Sequence, residues 1–200
     1  MRRTAVALLM LLPLALAAGR HGARAAETYA INQNFGDIAF TVRHLGLFSS
    51  SGTFRRFTGQ ITLDPAHPEN TRVAVDIATG SVAMNWAEAA AMLRSPPYFD
   101  VSRYPDARFT STRIIPLARD RYDVEGNLEL RGVTRPVTLH AALVGRHAAP
   151  EAGQEIADFV VTGILRRSAF GMTADQSFVS DGVDLRIDAR VRLLALAHAN

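Results

Sequence analysis

The side chains best suited to metal binding or acid–base chemistry in this sequence are its histidines. Beyond the first 25 residues they are His44, His67, His140, His147 and His198. Zinc sites place their ligands at short, characteristic spacings, and no two of these histidines have such a spacing. His140 and His147 lie across the end of a predicted strand. The histidines therefore predict no metal site.

Hydrolytic chemistry needs a nucleophile, a base and an orienting acid within reach of one another. The serine run Ser49–Ser51 lies in a predicted loop close to His44 in sequence, but no carboxylate completes a triad. Asp181 and Asp184 flank a predicted turn and are expected to be solvated. The chain also lacks the signatures of zinc peptidases, nucleophile-elbow hydrolases, phosphate loops and dinucleotide-binding folds. An enzyme is therefore the least supported functional class.

The first 25 residues have the layout of a secretory signal peptide. Two arginines precede an apolar run over residues 5–18, which is shorter than the roughly 20 residues needed to span a bilayer. Small residues at alternate positions allow cleavage after Ala17 or after Ala25, and we prefer Ala25 because strand-like sequence begins almost at once. We therefore expect an exported protein, periplasmic or secreted, with a mature domain over residues 26–200 and no membrane span after the signal is removed.

The charge balance argues against nucleic acid as a partner. The chain has 22 Lys and Arg against 19 Asp and Glu, but four of the arginines lie in the leader, which leaves 18 basic residues in the mature domain. The remaining arginines are interleaved with acids and form no basic block that could bind a phosphate backbone. Cysteine is absent from the sequence, so the core alone must stabilise this exported domain.

Alternation of apolar and polar residues dominates the mature sequence and predicts about eight β-strands. The connections are rich in Pro, Gly, Asn and Asp and are mostly too short for a crossover helix, so the sheet should be antiparallel. Long alternating strands would leave an exposed edge in a flat sheet. We therefore predict an all-β, antiparallel, eight-stranded barrel, with a sandwich as the alternative. The predicted strands are 36–45, 57–64, 72–80, 109–115, 121–130, 136–145, 155–165 and 182–196.

One segment departs from this alternation and predicts a short helix. The segment from Asn85 to Arg94 is rich in helix-forming residues. Asn85 is placed as the N-cap, with Glu88 in the capping-box position. Arg94 lies at the end that the helix dipole favours for a cation. The two prolines that follow prevent the helix from continuing.

Three glycines, Gly59, Gly126 and Gly163, lie in the middle of predicted strands, where glycine lowers strand stability. They either permit the curvature of a small barrel or leave room for something inside it. A barrel of about eight strands is just large enough to be filled by side chains or to enclose one slender ligand. With no polar constellation identified for the interior, such a ligand would be apolar. A long-chain lipid would gain about 0.8 kcal/mol for each buried methylene.

Five stretches of the chain, in order along roughly residues 28–193, resemble the YceI-like family. They are FTVRHLGLFSSSGTFRRFTGQITLD (40–64), RSPPYFDVSRYPDARFTST (94–112), LELRGVTRPVTL (128–139), RRSAFGMT (166–173) and VSDGVDLRIDARV (179–191). The resemblance implies a periplasmic or secreted, lipocalin-like antiparallel barrel that encloses a polyisoprenoid chain, such as an isoprenoid lipid or a quinone tail. It implies no enzymatic activity. Family members commonly carry an Asp-x-x-His-Ser stretch before the first alternating strand, where this chain has Asn34, Phe35 and Gly36.

The resemblance also implies that the short helix and the aromatic segment after it cover the mouth of the barrel. In that arrangement the rings give apolar cover and charged side chains hold the segment down. The alternative is that the rings only plug one end of the core. The rings are Tyr98, Phe99, Tyr104 and Phe109, and the charged residues are Arg94, Asp100, Arg103 and Asp106.

We therefore predict a carrier or binding protein for an isoprenoid lipid, with no cofactor and with a homodimer left open. Two of the candidate residues, Trp86 and Met92, have ordinary packing as the alternative role, and His44 is either a head-group contact or a structural histidine bonded to a loop carbonyl. The alternative for the whole protein is a structural or interaction barrel with a filled interior. The candidate ligand-binding residues are Phe40, Val42, His44, Phe54, Phe57, Ile61, Trp86, Met92, Phe99, Phe109, Phe170 and Met172.

Overall fold

A computed structural model describes residues 27–64, 67–150 and 154–194. The predicted signal peptide, both cleavage sites and His198 lie outside the described residues. The strands are β1 (Glu27–Asn32), β2 (Gly36–His44), β3 (Phe48–Phe54), β4 (Phe57–Leu63), β5 (Arg72–Ala78), β6 (Val82–Met84), β7 (Asp106–Ala118), β8 (Arg121–Leu130), β9 (Val133–Ala148), β10 (Gln154–Arg166) and β11 (Val179–Leu194). The helix α1 spans Ala87–Arg94, and short 3-10 helices span Pro68–Asn70, Thr79–Ser81 and Arg167–Phe170.

All strands in the described part of the chain pair antiparallel, in the order β1-β4-β5-β7-β8-β9-β10-β11-β2-β3-β6. β3 and β4 lie near opposite ends of this order, yet only Arg55 and Arg56 connect them. The backbone amide of Arg55 donates to the carbonyl of Ser81, and the amide of Ala78 donates to the carbonyl of Arg56. These connections bring the two ends of the sheet together, so the sheet curls into the predicted barrel.

The strand count differs from the prediction, because the described residues form eleven strands and not eight. β1, β3 and β6 were missed. The prediction that Ser49–Ser51 lie in a loop is wrong, since all three serines belong to β3. Pairing with β2 stabilises this polar strand, and the hydroxyls of Thr41 and Ser51 lie 2.8 Å apart across the pair. β6 is three residues long, too short for alternation to reveal.

The predicted capping of α1 is also wrong. The helix begins at Ala87, and its N-cap is Trp86, with no side-chain hydrogen bond to the first turn. The expected capping box of Asn85 and Glu88 therefore does not form. At the other end, the Arg94 guanidinium donates to backbone carbonyls of residues 80 and 82, at 3.0 and 2.7 Å. Arg94 thus attaches the helix to the adjoining part of the barrel.

The three mid-strand glycines lie against the protein itself. An added Cβ would come within 2.6 Å of the Ala74 carbonyl oxygen at Gly59 and within 2.6 Å of the Leu139 side chain at Gly163. At Gly126 it would meet the ring of Phe109 at 2.5 Å. Opposite Gly126, the β7–β8 pairing also shifts register just after Ser111. The glycines therefore permit close packing between neighbouring strands, and Gly126 lies at an irregularity of the curved sheet.

Two groups of buried side chains stabilise the barrel. The larger group comes from β7, β8, β9 and the segment around the last 3-10 helix, and the smaller joins β1, β2 and β4. The larger group consists of Ala107, Phe109, Leu128, Leu130, Leu139, Phe170 and Met172, and the smaller of Ile31, Ile38 and Phe57.

None of the helices in residues 27–64, 67–150 and 154–194 is long and apolar enough to cross a membrane.

Candidate ligand-binding site

The inward face of the barrel surrounds a cavity of about 720 Å³. This volume lies within the range of about 300–1,000 Å³ that is usual for small-molecule sites. All eleven described strands contribute side chains to the wall, and α1 and the segment after it complete it. The wall consists mainly of Val, Ile, Leu and Phe side chains. The interior is therefore hollow and apolar, unlike the filled interior expected of a purely structural barrel.

The cavity wall contains all twelve candidate residues. Seven of them lie on β2, β3, β4 and β7, and Met92 lies on α1. Trp86 is the N-cap of α1, Phe99 follows the helix, Phe170 ends the last 3-10 helix and Met172 lies just after it. Contact of these residues with a ligand stays a prediction. The twelve residues are Phe40, Val42, His44, Phe54, Phe57, Ile61, Trp86, Met92, Phe99, Phe109, Phe170 and Met172.

The prediction missed a large part of the wall, which comes from β5 and from β8 to β11. Representative residues are Val75, Val124, Val161, Leu185 and Ile187. Their alternation is visible in the sequence, and it shows that they share a face with their strand neighbours. Alternation does not show which face is inside, because a shift of one residue reverses every side chain. The sequence therefore groups these residues on one face of each strand but does not show that this face lines the cavity.

A histidine–serine pair lies at one end of the cavity. His44 Nε2 and Ser50 Oγ are 2.9 Å apart on the neighbouring strands β2 and β3, and both side chains reach the wall. The observed partner of His44 is thus a hydroxyl and not a loop carbonyl. β6 pairs Met84 with Gly52, so the chain beyond Met84 runs towards this pair and brings Trp86 to the same end.

The segment that follows α1 contributes aromatic rings to the wall. Tyr98 and Phe99 both line the cavity, and the Phe99 ring meets the Phe54 ring edge-on at a centroid distance of 5.5 Å. Phe109 also lines the cavity from β7, whereas the Tyr104 ring lies against Gly132. Three of the four predicted rings therefore form part of the cavity surface, and Phe109 also belongs to the larger buried group, as the core alternative expects. We call residues 95–105, which follow α1, the covering segment.

The covering segment is also held by partners that the sequence did not reveal. The Tyr98 hydroxyl donates to the Asp175 carboxylate on another loop. Burial, together with this hydrogen bond, raises the pKa of Tyr98 to about 12. Arg131 donates to the carbonyls of Pro96 and Gly171, at 3.1 and 2.8 Å. Tyr98 and Arg131 thus join the segment to the loops that surround the last 3-10 helix.

The charged residues predicted to hold the segment have different roles. Arg94 does so, through the backbone carbonyls described above. The Asp100 carbonyl accepts from the amides of Arg103 and Tyr104, both at 2.9 Å, and so forms a turn within the segment. The Arg103 guanidinium lies 5.2 Å from the centre of the Tyr104 ring. Asp106 begins β7. The Arg94 side chain therefore holds the segment as predicted, whereas Asp100 acts through its backbone carbonyl and Arg103 contacts only a ring of the same segment.

Comparison with known proteins identifies this arrangement. The sequence model of the YceI-like domain matches residues 29–191. The chain belongs to the YceI-like family. Protein YceI of Salmonella arizonae is 39% identical over 150 residues, which are 75% of this chain and 78% of that protein. The resemblance noted in the sequence is therefore confirmed.

Solved structures show the same fold. BcnA of Burkholderia cenocepacia superposes with a TM-score of 0.68 at 22% identity, covering 80% of this chain and 98% of that chain. A domain of Saccharophagus degradans, described as polyisoprenoid-binding and implicated in plant cell wall breakdown, gives a TM-score of 0.58 at 13% identity. It covers 84% of this chain and 99% of that chain. The YceI-like chain thus has the barrel of these proteins.

A buried arginine organises one end of the YceI-like barrel. The Arg167 side chain is 5% exposed, lines the cavity and donates to four backbone carbonyls. Next to it, Asp181 accepts hydrogen bonds from the amide and the hydroxyl of Ser168, both at 2.9 Å. These bonds, the amide first, lower the pKa of Asp181. The four carbonyls belong to Met172, Ala174, Val179 and Ser180.

Polar side chains also reach the wall at the opposite end of the barrel. Arg146 near the end of β9 and Glu155 at the start of β10 both line the cavity, and Arg146 Nη1 lies 3.2 Å from Glu155 Oε2. Tyr122 lines the cavity from the start of β8. The apolar wall of the YceI-like barrel therefore has polar groups at both ends.

The remaining candidates for chemistry belong to separate pairs. His140 Nδ1 lies 2.6 Å from Asp123, and His147 Nε2 lies 2.9 Å from Asp158. Across the described ranges, no three His, Cys, Asp or Glu side chains come together as a metal site. The prediction that Asp181 and Asp184 flank a turn is wrong, because both lie in β11. Asp181 is bonded to Ser168 as described, and Asp184 pairs with Arg43 at 2.9 Å.

Proposed function

We propose that this YceI-like protein binds and carries a long-chain isoprenoid lipid, either a polyisoprenoid or the tail of a quinone, inside the barrel. The observation that carries the proposal is the apolar cavity of about 720 Å³ in a fold whose interior could have been filled by side chains. The polyisoprenoid-binding description of the structural neighbour from Saccharophagus degradans supports this class of ligand. The role is binding, without chemical change of the lipid.

Binding of the tail rests on the hydrophobic effect. Each methylene that leaves water contributes about 0.8 kcal/mol, so one five-carbon isoprene unit contributes several kcal/mol before ordering costs. The side chains that displace water from the tail include Phe40, Phe109 and Leu185. The head group lies at the rim, where His44 and Ser50 offer a donor and an acceptor.

The cellular setting is part of the proposal. A basic and apolar leader precedes the family domain, which is matched from residue 29 onward. We propose export of the mature domain to the periplasm or the medium, where a water-insoluble lipid needs a carrier. Immunoblots of periplasmic, medium and cytosolic fractions, with N-terminal sequencing of the mature protein, test this placement and the cleavage site.

The ligand can be tested by native mass spectrometry and by organic extraction of protein purified from its own source. We expect a co-purifying isoprenoid lipid. In a second assay, a long-chain isoprenoid alcohol should raise the melting temperature of delipidated protein, because it binds only the folded state. Recovery of no lipid, together with an unchanged melting temperature, would contradict the proposal.

Two neighbouring alanines provide a matched pair of variants for the same assay. Ala141 lines the cavity, whereas Ala142 is the next residue on β9 and lies outside the cavity wall. Ala141→Phe should fill part of the cavity and abolish the melting-temperature shift by the isoprenoid alcohol. Ala142→Phe adds the same volume on the other face and should keep the shift. Equal shifts in the two variants would show that the alcohol binds elsewhere.

A further inference from the structure

Four large apolar side chains are exposed together at one end of the barrel. Leu45 and Leu47 lie on the turn between β2 and β3 and are 65% and 79% exposed, and Phe48, which begins β3, is 73% exposed. Phe178, which is 62% exposed, immediately precedes β11. The Leu45 amide donates to the Phe178 carbonyl at 2.9 Å, which joins the two loops. We refer to these four residues as the apolar tip.

The apolar tip continues the wall of the cavity. Phe48 is the register partner of His44, and partners directly opposite each other in an antiparallel pair project from the same face of the sheet. His44 lines the cavity on that face. Phe48 therefore extends the inner face of the barrel beyond the rim. Trp86, the N-cap of α1, and Met92 within the helix also line the cavity and are about half exposed, at 50% and 48%.

The tip carries none of the charges that would oppose its burial in an apolar phase. Residues 45–54 contain no Asp, Glu, Lys or Arg, and neither do residues 176–180. Exposed apolar residues scattered singly over a surface need no explanation. A cluster of leucines and phenylalanines without charge, at the opening of a cavity for an oily ligand, has the composition of a surface that contacts lipid.

We propose that the apolar tip docks the protein onto the surface of a phospholipid bilayer and so brings the cavity mouth to the source of its ligand. The inference rests on the proposed function for its purpose, because an isoprenoid tail resides in a bilayer and must pass from there into the barrel. Without a basic cluster at the tip, docking depends on apolar insertion, so it should occur on zwitterionic lipid and should depend little on salt.

Trp86 is the single tryptophan of the sequence, so its fluorescence monitors the mouth of the cavity. In phosphatidylcholine vesicles that contain brominated acyl chains and no isoprenoid, docking should quench the Trp86 fluorescence and should carry the protein down with sedimented vesicles. The double variant Leu47→Ser, Phe48→Ser should partition at least tenfold more weakly. Since both side chains are exposed, the variant should keep the wild-type circular dichroism spectrum and melting temperature.

A matched control removes equally exposed apolar side chains elsewhere. Val144 and Ile164 are 61% and 71% exposed on β9 and β10 and lie outside the cavity wall. The double variant Val144→Ser, Ile164→Ser should partition like the wild type. If it weakens partitioning as much as the tip variant does, general surface hydrophobicity explains the effect and the docking proposal is overturned.

The remaining outcomes separate docking from ligand binding. Ala141→Phe should lose the isoprenoid and still dock, whereas the tip variant should bind an isoprenoid alcohol delivered from cyclodextrin and fail to dock. If the wild-type protein binds the alcohol but does not bind the vesicles, the docking proposal is overturned and the carrier function is still supported. Concentration-dependent self-association that the tip variant abolishes would assign the tip to a second copy of the chain, and would equally overturn docking.

Discussion

The Phe109 ring occupies the space where residue 126 would carry a side chain. Its Cε2 and Cζ atoms lie 2.5 Å from the position of an ideal Cβ on Gly126, and the carbonyl oxygen of Thr110 lies 2.6 Å from it. A real Cβ at this position would collide with both. Phe109 itself is buried and lines the cavity. The absence of a side chain at Gly126 on β8 thus leaves the space that the Phe109 ring on β7 occupies.

Gly126→Ala should therefore destabilise the barrel. Because the ring and the neighbouring backbone must move, we expect a loss of about 1–3 kcal/mol, the usual cost of overpacking. Urea unfolding monitored by circular dichroism measures it as a lower midpoint. Gly80→Ala is the control, since an added Cβ there meets no atom within 4 Å, and its midpoint should stay within about 0.5 kcal/mol of wild type. A wild-type midpoint for Gly126→Ala would refute the steric argument.

The buried guanidinium of Arg167 leads to a second prediction. Arg167→Met keeps much of the apolar stem but leaves four backbone carbonyls without their donor. An unsatisfied buried polar group costs about 1–3 kcal/mol, so the variant should lose more stability than any single surface change and should become sensitive to protease around residues 172–180. Arg166→Met, at the exposed neighbouring position, serves as the control. Equal unfolding midpoints for the two variants would contradict this role.

The fold was predictable because the barrel needs a repeated inward-facing pattern. β2, β4, β5 and β7 to β11 all show it, and the connections between them, most of which are short, favour antiparallel pairing. β3 was not predictable from its own residues, because Ser49–Ser51 resemble a loop and become a strand only by pairing with β2. Tertiary context here overrides local preference.

The sequence predicted an apolar site and many of its wall residues, but not the contacts that hold the covering segment in place. The sequence identifies aromatic residues on β2 to β4 and next to α1, and the structure places them on the wall. The contacts that hold the cover depend on residues far apart in sequence. Tyr98 and Asp175 are 77 positions apart, and Arg131 and Pro96 are 35 apart. No local pattern reveals such pairs, because they exist only once the loops meet.

Acid should weaken the barrel partly through Asp181. Its pKa is lowered in the folded chain, first by the Ser168 amide and then by the Ser168 hydroxyl. A lowered native pKa means that its contribution is complete above the unfolded-state pKa of about 3.9 and is lost as the pH falls through the native value. The gap in urea midpoint between wild type and Asp181→Asn should therefore be widest near neutral pH and should narrow below about pH 4.

Asp184→Asn removes the same charge from the same strand and is the control for Asp181→Asn. Asp184 pairs with Arg43 on the surface, where the two side chains are 38% and 64% exposed, and such pairs contribute about 0–1 kcal/mol. Asp184→Asn should therefore shift the midpoint less than Asp181→Asn at neutral pH. A gap for Asp181→Asn that stays constant from neutral pH to about pH 3 would exclude ionisation as its cause.

Alkali should reveal the Tyr98–Asp175 contact. The pKa of Tyr98 is raised from 10.0 to about 12, mainly by burial and then by its hydrogen bond to Asp175. Because the native pKa is the higher one, this contribution to stability is complete below pH 10 and is lost as the pH rises towards 12. Absorbance titration should contain a late ionisation step from Tyr98. In Tyr98→Phe that late step should be absent, while Tyr104→Phe should keep it. If Tyr104→Phe removes the late step instead, Tyr98 is not the protected phenol, and the closure of the covering segment onto Asp175 loses its support.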